Sequence, residues 1–438
     1  MHSWSALTAA VALLANGAAA QNMLRFACSQ LVVDRVDPLV NPGVRYTPHL
    51  HQIVGGNSFN LTMEPVEYDL AKRSTCTSCS FPQDLSNYWT AVMFFKHKNG
   101  SYHRIPQVGN GGPQGQLINK GGLDIYYIPS GKTTAFRPGF RMLAGNAANT
   151  EDGQVSKANI CHRCWTSTNE GNFVGGAPCT GSDTVGIPQE PRCKMIRQTI
   201  IFPHCWDGKN LDTPDHKSHV AYGQGSGATG GGACPSSHPV KLPQLMYELM
   251  WNVTNFSDKN MWPTSGPAFV YSMNLGGSAA HGDYVFGWEG DTLQRAMDKG
   301  CNLNRACPAA GLTYQAPEVY NACNIKQQAP EPVDGCKFLV LSQDAPRGTR
   351  ANDIIKQGSR PCPWAMLPSR LNSTQQQHFL GIQKDKAEER GLFENSAGLS
   401  SLRREWSVWV VVFIKQRESA SVYTDIPQLI PPIITHYH

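Results

Sequence analysis

Fourteen cysteines constrain this 438-residue chain more than any other feature, because all of them follow residue 20 and their number is even. In an oxidising compartment such a set is read as a disulfide framework, so up to seven bridges are expected. Cys76-x-x-Cys79 and Cys161-x-x-Cys164 have the look of zinc-ligand pairs. They lie too far apart in sequence for the usual four-thiolate module, which favours disulfides.

The first twenty residues agree with export. An apolar stretch from Ala6 to Ala15 runs into Ala18-Ala19-Ala20, a small-residue cleavage pattern, so a leader over 1–20 and a mature chain from Gln21 are expected. The most apolar later run, Trp406 to Ile414, suits one buried strand and is too short to span a bilayer. Sequons at Asn60, Asn99, Asn252, Asn255 and Asn372 fit a glycosylated extracellular protein. The net charge of +5 is small for this length and no block of like charges is present, so no nucleic-acid partner is indicated.

Composition points to strands. With 41 glycines, 30 prolines and 16% charged residues, the chain reads as a mainly β, turn-rich protein. We expect a β-sandwich or jelly-roll-like domain with long disulfide-pinned loops and few helices. Tyr88–Phe95, Leu123–Ile128, Gln198–Phe202 and Leu245–Val253 carry strand patterns, and Asn99-Gly100 marks a hairpin turn. One helix is well marked: Asp291 as N-cap, Gln294 three residues on, an apolar stripe of Leu293, Ala296 and Met297, and Gly300 as its end. Beyond Cys362 cysteines cease, and Gln375 to Arg404 is charged and polar. The expected organisation is therefore a β domain over residues 21–325 and an unassigned extension over 326–438.

Chemistry concentrates between Phe202 and Tyr222, FPHCWDGKNLDTPDHKSHVAY, which carries three histidines and three aspartates on little apolar material. Its polar groups repeat neither at two nor at 3.6 residues, so it reads as a loop. Either Cys205 and a buried Trp206 fix it to present polar groups, or it is a solvated connection. Elsewhere His49-Leu50-His51, if extended, projects both imidazoles from one face and can supply two nitrogens to a metal, or two hydrogen bonds to a cleft wall. His281 and Asp283 stand shortly before the helix and are expected on the rim of a cleft.

Several of these pieces together resemble a fungal secreted family known as domain of unknown function 1996. They are DPLVNPG (from Asp37), HLHQIVGGNSF (from His49), SNYWTAVMFF (from Ser86), FRMLAGN (from Phe140), CWDGKNLDTPDHKSHVAY (from Cys205), CPSSHPVKLPQL (from Cys234) and HGDYVFGW (His281 to Trp288). The resemblance covers roughly residues 26–300, departs at Tyr46-Thr47-Pro48, and does not reach the carboxy-terminal third. It implies secretion and fungal origin, and no established reaction. Some relatives carry a cysteine-rich carbohydrate-binding module, which implies a cell-wall setting; this chain has no clear copy.

If the loops converge, carboxylates and imidazoles in one cleft can supply an acid and a base for cleaving a glycosidic bond. Asp215 and Asp283 are the candidate acid and base, assisted by His219 and His281. Trp206, Asp207, His216 and Trp288 are candidate substrate-binding residues, while His49 and His51 line the site or hold a divalent metal. The expected partner is polysaccharide or cell wall. A non-catalytic polysaccharide-binding or wall-structural glycoprotein, with the same histidines as scaffold, is the alternative. No G-x-S-x-G elbow or H-E-x-x-H helix is present, so serine-hydrolase and zincin chemistry lack their signatures.

Overall fold

The computed structural model describes residues 23–64, 68–109, 121–149, 156–167, 177–224, 232–272, 278–302, 305–331 and 333. The expected leader, the extension from 334 onward with its apolar run and Asn372, and the glycine-rich connector 225–231 lie outside them. Of two compact units, Met1–Leu367 and Pro368–His438, all described residues belong to the first.

Strands dominate, as the composition requires. In chain order they are β1 (Leu24–Cys28), β2 (Val32–Asp34), β3 (His51–Gly55), β4 (Asn87–Ala91), β5 (Met93–Lys96), β6 (Tyr102–Arg104), β7 (Gln107–Val108), β8 (Leu123–Ile128) and β9 (Arg141–Gly145). There follow β10 (Ile160–Trp165), β11 (Met195–Ile201), β12 (Cys205–Trp206), β13 (Val220–Ala221), β14 (Val240–Lys241), β15 (Gln244–Asn252), β16 (Phe269–Tyr271) and β17 (His281–Val285). Among the described residues these strands are joined by three short α-helices, α1 (Leu70–Arg73), α2 (Thr292–Asp298) and α3 (Pro317–Ala322), and by three single-turn 3-10 helices.

Two antiparallel sheets form the body. One runs β1-β8-β15-β11-β10 with β7 added to β15, and the other runs β2-β3-β4-β17-β9. Their facing side chains make one core: Val54, Tyr88, Met142 and Tyr284 from the second sheet cluster with Ile125, Tyr127, Ile196 and Tyr247 from the first. Aromatic rings with polar tips bridge the layers. Tyr88 meets Tyr247 edge-on at 5.8 Å, and the hydroxyls of Tyr127 and Tyr284 are 3.0 Å apart, so each phenol keeps a partner while its ring is buried. Gly282 faces the core with no room for a side chain; a Cβ there would stand 2.8 Å from Phe202 and 3.0 Å from Tyr247.

Strand alternation sends the other side chains of the second sheet outward. Val32, Ile53, Trp89 and Val285 form a separate cluster there with Phe59, Met63 and Leu70. Its outer face is thus covered by the segments between β2 and β4. Residues near 327–331 also cap it: Asp34 accepts hydrogen bonds from the Gln328 and Ala329 amides, and Arg35 pairs with Glu331 at 2.9 Å.

Six disulfides hold the connections: Cys28–Cys79, Cys76–Cys323, Cys161–Cys179, Cys164–Cys193, Cys205–Cys234 and Cys301–Cys307. In both C-x-x-C pairs each cysteine bonds to a different distant partner, which accounts for the spacing without a metal. Cys336 and Cys362 lie outside the described residues.

Two expectations need correction. The Tyr88–Phe95 strand is broken at Val92 into β4 and β5, which join different sheets. The capping box of α2 does not form: Asp291 makes no side-chain cap bond and pairs with Arg295, while Gln294 turns away to the backbone of Thr133 and Ala135.

Candidate metal centre

The outer face of the second sheet brings three histidines together through register. Gln52, Thr90 and Gly282 share one rung across β3, β4 and β17. Because β3 and β17 both pair antiparallel with β4, they run in the same direction, and His51 and His281 each stand one residue before that rung. Ala91, paired with His51, lies between them, and Gly145 pairs with His281 on the far side. Next-but-one strands are about 10 Å apart. Two imidazoles close that span only across a small neighbour, which Ala91 provides. His49, two residues before His51, reaches the same point.

The geometry converges on His281. Its Nε2 lies 3.3 Å from Nε2 of His49 and 3.3 Å from Nε2 of His51. The Nδ1–H of His51 donates to the Val36 carbonyl at 3.0 Å, and that of His281 donates to the Ala279 carbonyl at 3.1 Å. A neutral ring holding its proton on Nδ1 keeps a lone pair on Nε2. The Nε2 lone pairs of His51 and His281 therefore face each other, a repulsive arrangement until a cation or shared proton sits between them. Imidazole-bound zinc has metal–nitrogen distances of about 2.0–2.1 Å, so tetrahedral ligand atoms stand about 3.3–3.4 Å apart. The observed spacing matches that edge.

Electrostatics keep the rings neutral. His51 and His281 are pushed down to about 4, in both cases first by burial, with His51 adding repulsion at His281. His49 is pushed well below its usual value, by burial and then by the other two rings. Neutral imidazole is the ligand form.

Two carboxylates border the cluster. Oδ2 of Asp283 lies 3.5 Å from Nε2 of His281, and Oδ2 of Asp37 lies 4.0 Å from Nε2 of His51. Asp37 also closes its own turn, its Oδ1 accepting from the Leu39 and Val40 amides. Neither oxygen of Asp283 has a hydrogen-bond partner, although the side chain is fully buried. Burial raises both carboxyls, and Lys217 partly opposes the rise at Asp283.

Among the described residues, three other groups of side chains come within metal-binding reach: His204 with Cys205 and Cys234, Cys28 and Cys79 with Asp84, and Cys164 and Cys193 with Glu190. In each, the cysteines are already joined in a disulfide and offer no thiolate. Among the described residues, the histidine cluster is the one such group in which no ligand atom is taken up by a disulfide.

The Phe202–Tyr222 loop is ordered, pinned by Cys205–Cys234 and by buried Trp206, whose Nε1 donates to the Asn210 carbonyl. It runs along β9: Arg141 N–H donates to the Leu211 carbonyl, Leu143 N–H to the His216 carbonyl, and Lys217 Nζ to the Gly145 carbonyl at 2.6 Å. Lys217 thereby comes beside Asp283. The other polar residues serve the loop. Asp207 accepts from the Lys209 and Asn210 amides. Asp215 accepts from Lys217, Ser218 and Thr213, bonds that outweigh slight burial and hold its carboxyl well below the usual range. His216 bonds Asp212 and the Leu39 carbonyl, His219 bonds Thr213 and the Arg141 carbonyl, and His238 bonds the Ser218 carbonyl.

Of the residues singled out from sequence, His49, His51, His281 and Asp283 thus meet at one point. Asp207, Asp215 and His219 do not join them: His219 sits at the Arg141 end of β9, whereas His281 pairs with Gly145 at the other end. Trp206 and Trp288 are buried, Trp288 donating to the Tyr127 hydroxyl in the core. His281 and Asp283 occupy a buried inner strand of the sheet rather than a cleft rim. Asp37 and Lys217 carry no local signal of this role in the sequence, since Asp37-Pro38 reads as a turn and Lys217 as one charge in a polar loop.

A mainly β, disulfide-pinned domain carrying a buried three-imidazole cluster is what the fold and site define. The model of the family described as Domain of unknown function (DUF1996) matches residues 37–288, more than half of the chain, and the protein belongs to that family. The matched span includes all three imidazoles and both carboxylates. No curated protein and no solved structure matches the chain.

Proposed function

We propose that the protein is an extracellular metalloprotein that binds one divalent ion through His49, His51 and His281 and hydrolyses polysaccharide with the help of the bordering carboxylates. The 3.3 Å spacings of the His49 and His51 nitrogens from that of His281, with the Nδ1 protons of His51 and His281 already committed, carry this reading. The ion would supply Lewis acidity and a water of lowered pKa. The protein's part would be to hold the imidazoles, to border the ion with the carboxylates of Asp37 and Asp283, and to keep bulk solvent out: the three residues are 8%, 0% and 2% exposed.

Tyr46 supports the choice of a sugar. Its ring is 48% exposed three residues before His49, Arg35 lies 5.2 Å from the ring centre, and its backbone sits at φ 58°, a conformation costly for a bulky residue. A rigid, exposed aromatic face is what a pyranose ring stacks on. Purified protein loaded with zinc, cobalt, manganese or copper should release soluble sugars from fungal or plant wall polysaccharide. His281→Ala should abolish release, and Tyr46→Ala should raise KM more than it lowers kcat. Release unaffected by His281→Ala would exclude the centre from catalysis.

A second reading, a non-catalytic polysaccharide-binding or wall glycoprotein stabilised by the same ion, is favoured by the burial of His51 and His281. It predicts metal-dependent stability and Tyr46-dependent binding to insoluble polysaccharide without release.

A further inference from the structure

Asp283 poses a problem that the three imidazoles alone do not solve. Both its oxygens are buried and neither has a hydrogen-bond partner. A carboxylate in that condition costs several kcal/mol unless a cation or a bound proton compensates it. Its neighbours on the sheet face are Trp89 and Leu143, paired with it on either side, and the buried Trp89 Nε1–H, itself without a partner, makes no hydrogen bond to it. His281, 3.5 Å away, has its Nδ1 proton on the Ala279 carbonyl and so presents a lone pair. Lys217 is the nearest cation, but its Nζ is bound to the Gly145 carbonyl.

We propose that Asp283 is the fourth protein ligand, making a centre of three imidazoles and one carboxylate, with Asp37 left outside the coordination shell. This deepens the metal-centre reading above and rests on it. With metal–oxygen distances of about 2.0–2.2 Å, an adjacent carboxylate oxygen and imidazole nitrogen stand about 3.4 Å apart. Asp283 meets that against His281 at 3.5 Å and must swing toward His49 and His51 on binding, since it does not lie within 4.8 Å of all three ring nitrogens, whereas Asp37 stands 4.0 Å from His51 and has one oxygen committed to the Leu39 and Val40 amides. His281 and Asp283 are two residues apart on one strand, so they project from the same face and can grip one ion together. Asp37 then becomes the group beside the shell available to accept a proton, and any further position on the ion lies toward His49, the most exposed of the three rings. Such a nitrogen and oxygen set, without thiolate or thioether, suits a divalent first-row ion.

The test uses the full chain, stripped by chelator and reloaded. Zinc affinity is measured by competition and the visible spectrum is recorded with Co2+, for wild type, Asp283→Asn and Asp37→Asn. Asp283→Asn should weaken zinc by at least about 100-fold, the upper end of what an outer residue contributes, and should move the Co2+ bands. Asp37→Asn should stay within about tenfold with the bands in place. Thermal unfolding separates this from misfolding: metal-free Asp283→Asn should melt at or above metal-free wild type, while its gain on adding zinc should shrink. Wild-type affinity and spectrum in Asp283→Asn would overturn Asp283 as ligand and leave the three-imidazole centre standing. A wild type that takes up no ion would remove both.

Discussion

His51 and His281 face each other through Nε2 atoms 3.3 Å apart while each ring spends its Nδ1 proton on a backbone carbonyl, Val36 for one and Ala279 for the other. Two buried histidines retained only as scaffold would share a proton or turn a nitrogen to a donor. Here the protons point away from the meeting point. The first prediction is selective: His281→Ala should lower zinc affinity by more than about 100-fold. His216→Ala and His219→Ala, whose rings bond the loop's own groups and the Leu39 and Arg141 carbonyls, should leave it within about tenfold. Equal losses in all three variants would show that the effect is general destabilisation.

Gly282 couples the core to the centre. A methyl group at that position would press on Phe202 and Tyr247 from 2.8 and 3.0 Å, and β17 would shift outward. Gly282→Ala should cost about 1–3 kcal/mol in urea unfolding. Zinc binding should weaken as well, because His281 and Asp283 flank the displaced residue. A variant destabilised with unchanged zinc affinity would show that the core absorbs the strain without moving the strand.

The stability contributed by Asp84 and Asp124 should fall as pH rises through the weakly acidic range, against the opposite trend of the buried histidines His51 and His281. Burial raises Asp84 to about 7, and it raises Asp124 to about 7 against the opposing pull of Arg25. A carboxyl whose folded value lies above its unfolded value binds its proton more tightly in the folded state. Its contribution is therefore greatest below about pH 4 and is lost as pH climbs toward 7. Asp84→Asn, which keeps the shape beside Tyr88, should flatten this slope and raise stability at pH 8 relative to wild type by on the order of 1–3 kcal/mol. Denaturant midpoints at pH 5 and 8 for both proteins check the sign; a wild type more stable at pH 8, with the difference removed by Asp84→Asn, would reverse it.

The Cys205–Cys234 bridge closes a segment of sequence separation 29 that includes the whole loop lying along β9. Replacing both cysteines by serine should cost about 3 kcal/mol. It should also free Lys217 from the Gly145 carbonyl, seen as faster amide exchange from residue 207 to 219. Unchanged exchange there would mean that the backbone bonds to Arg141 and Leu143 hold the loop unaided.

Local chemistry made some of this legible in the sequence. Alternation alone places His49 and His51 on one face, glycine, proline and aromatic content imply sheets, and an even cysteine count implies bridges. His281 was visible as a histidine beside an aspartate, yet its meeting with His51 depends on the pairing of β3, β4 and β17 across 230 residues, which no local period encodes. The dense run of Asp and His from Asp207 to His219 drew attention for its chemistry, but most of those side chains are spent on turn amides within their own loop. Asp37 escaped notice for the converse reason: Asp-Pro is an ordinary turn signal, and its second oxygen acquires meaning only beside His51. Trp206 and Trp288, suited by type to stack on sugars, are needed more by the core.

The central claim is that three imidazoles hold an ion, and elemental mass spectrometry of the untagged protein, reloaded with zinc and dialysed, tests it most directly. The account predicts one metal per chain in the wild type and less than about a tenth of that in His51→Ala and His281→Ala, with both variants still folded by circular dichroism. A wild type that retains no metal, or folded variants that retain as much as the wild type, would contradict it.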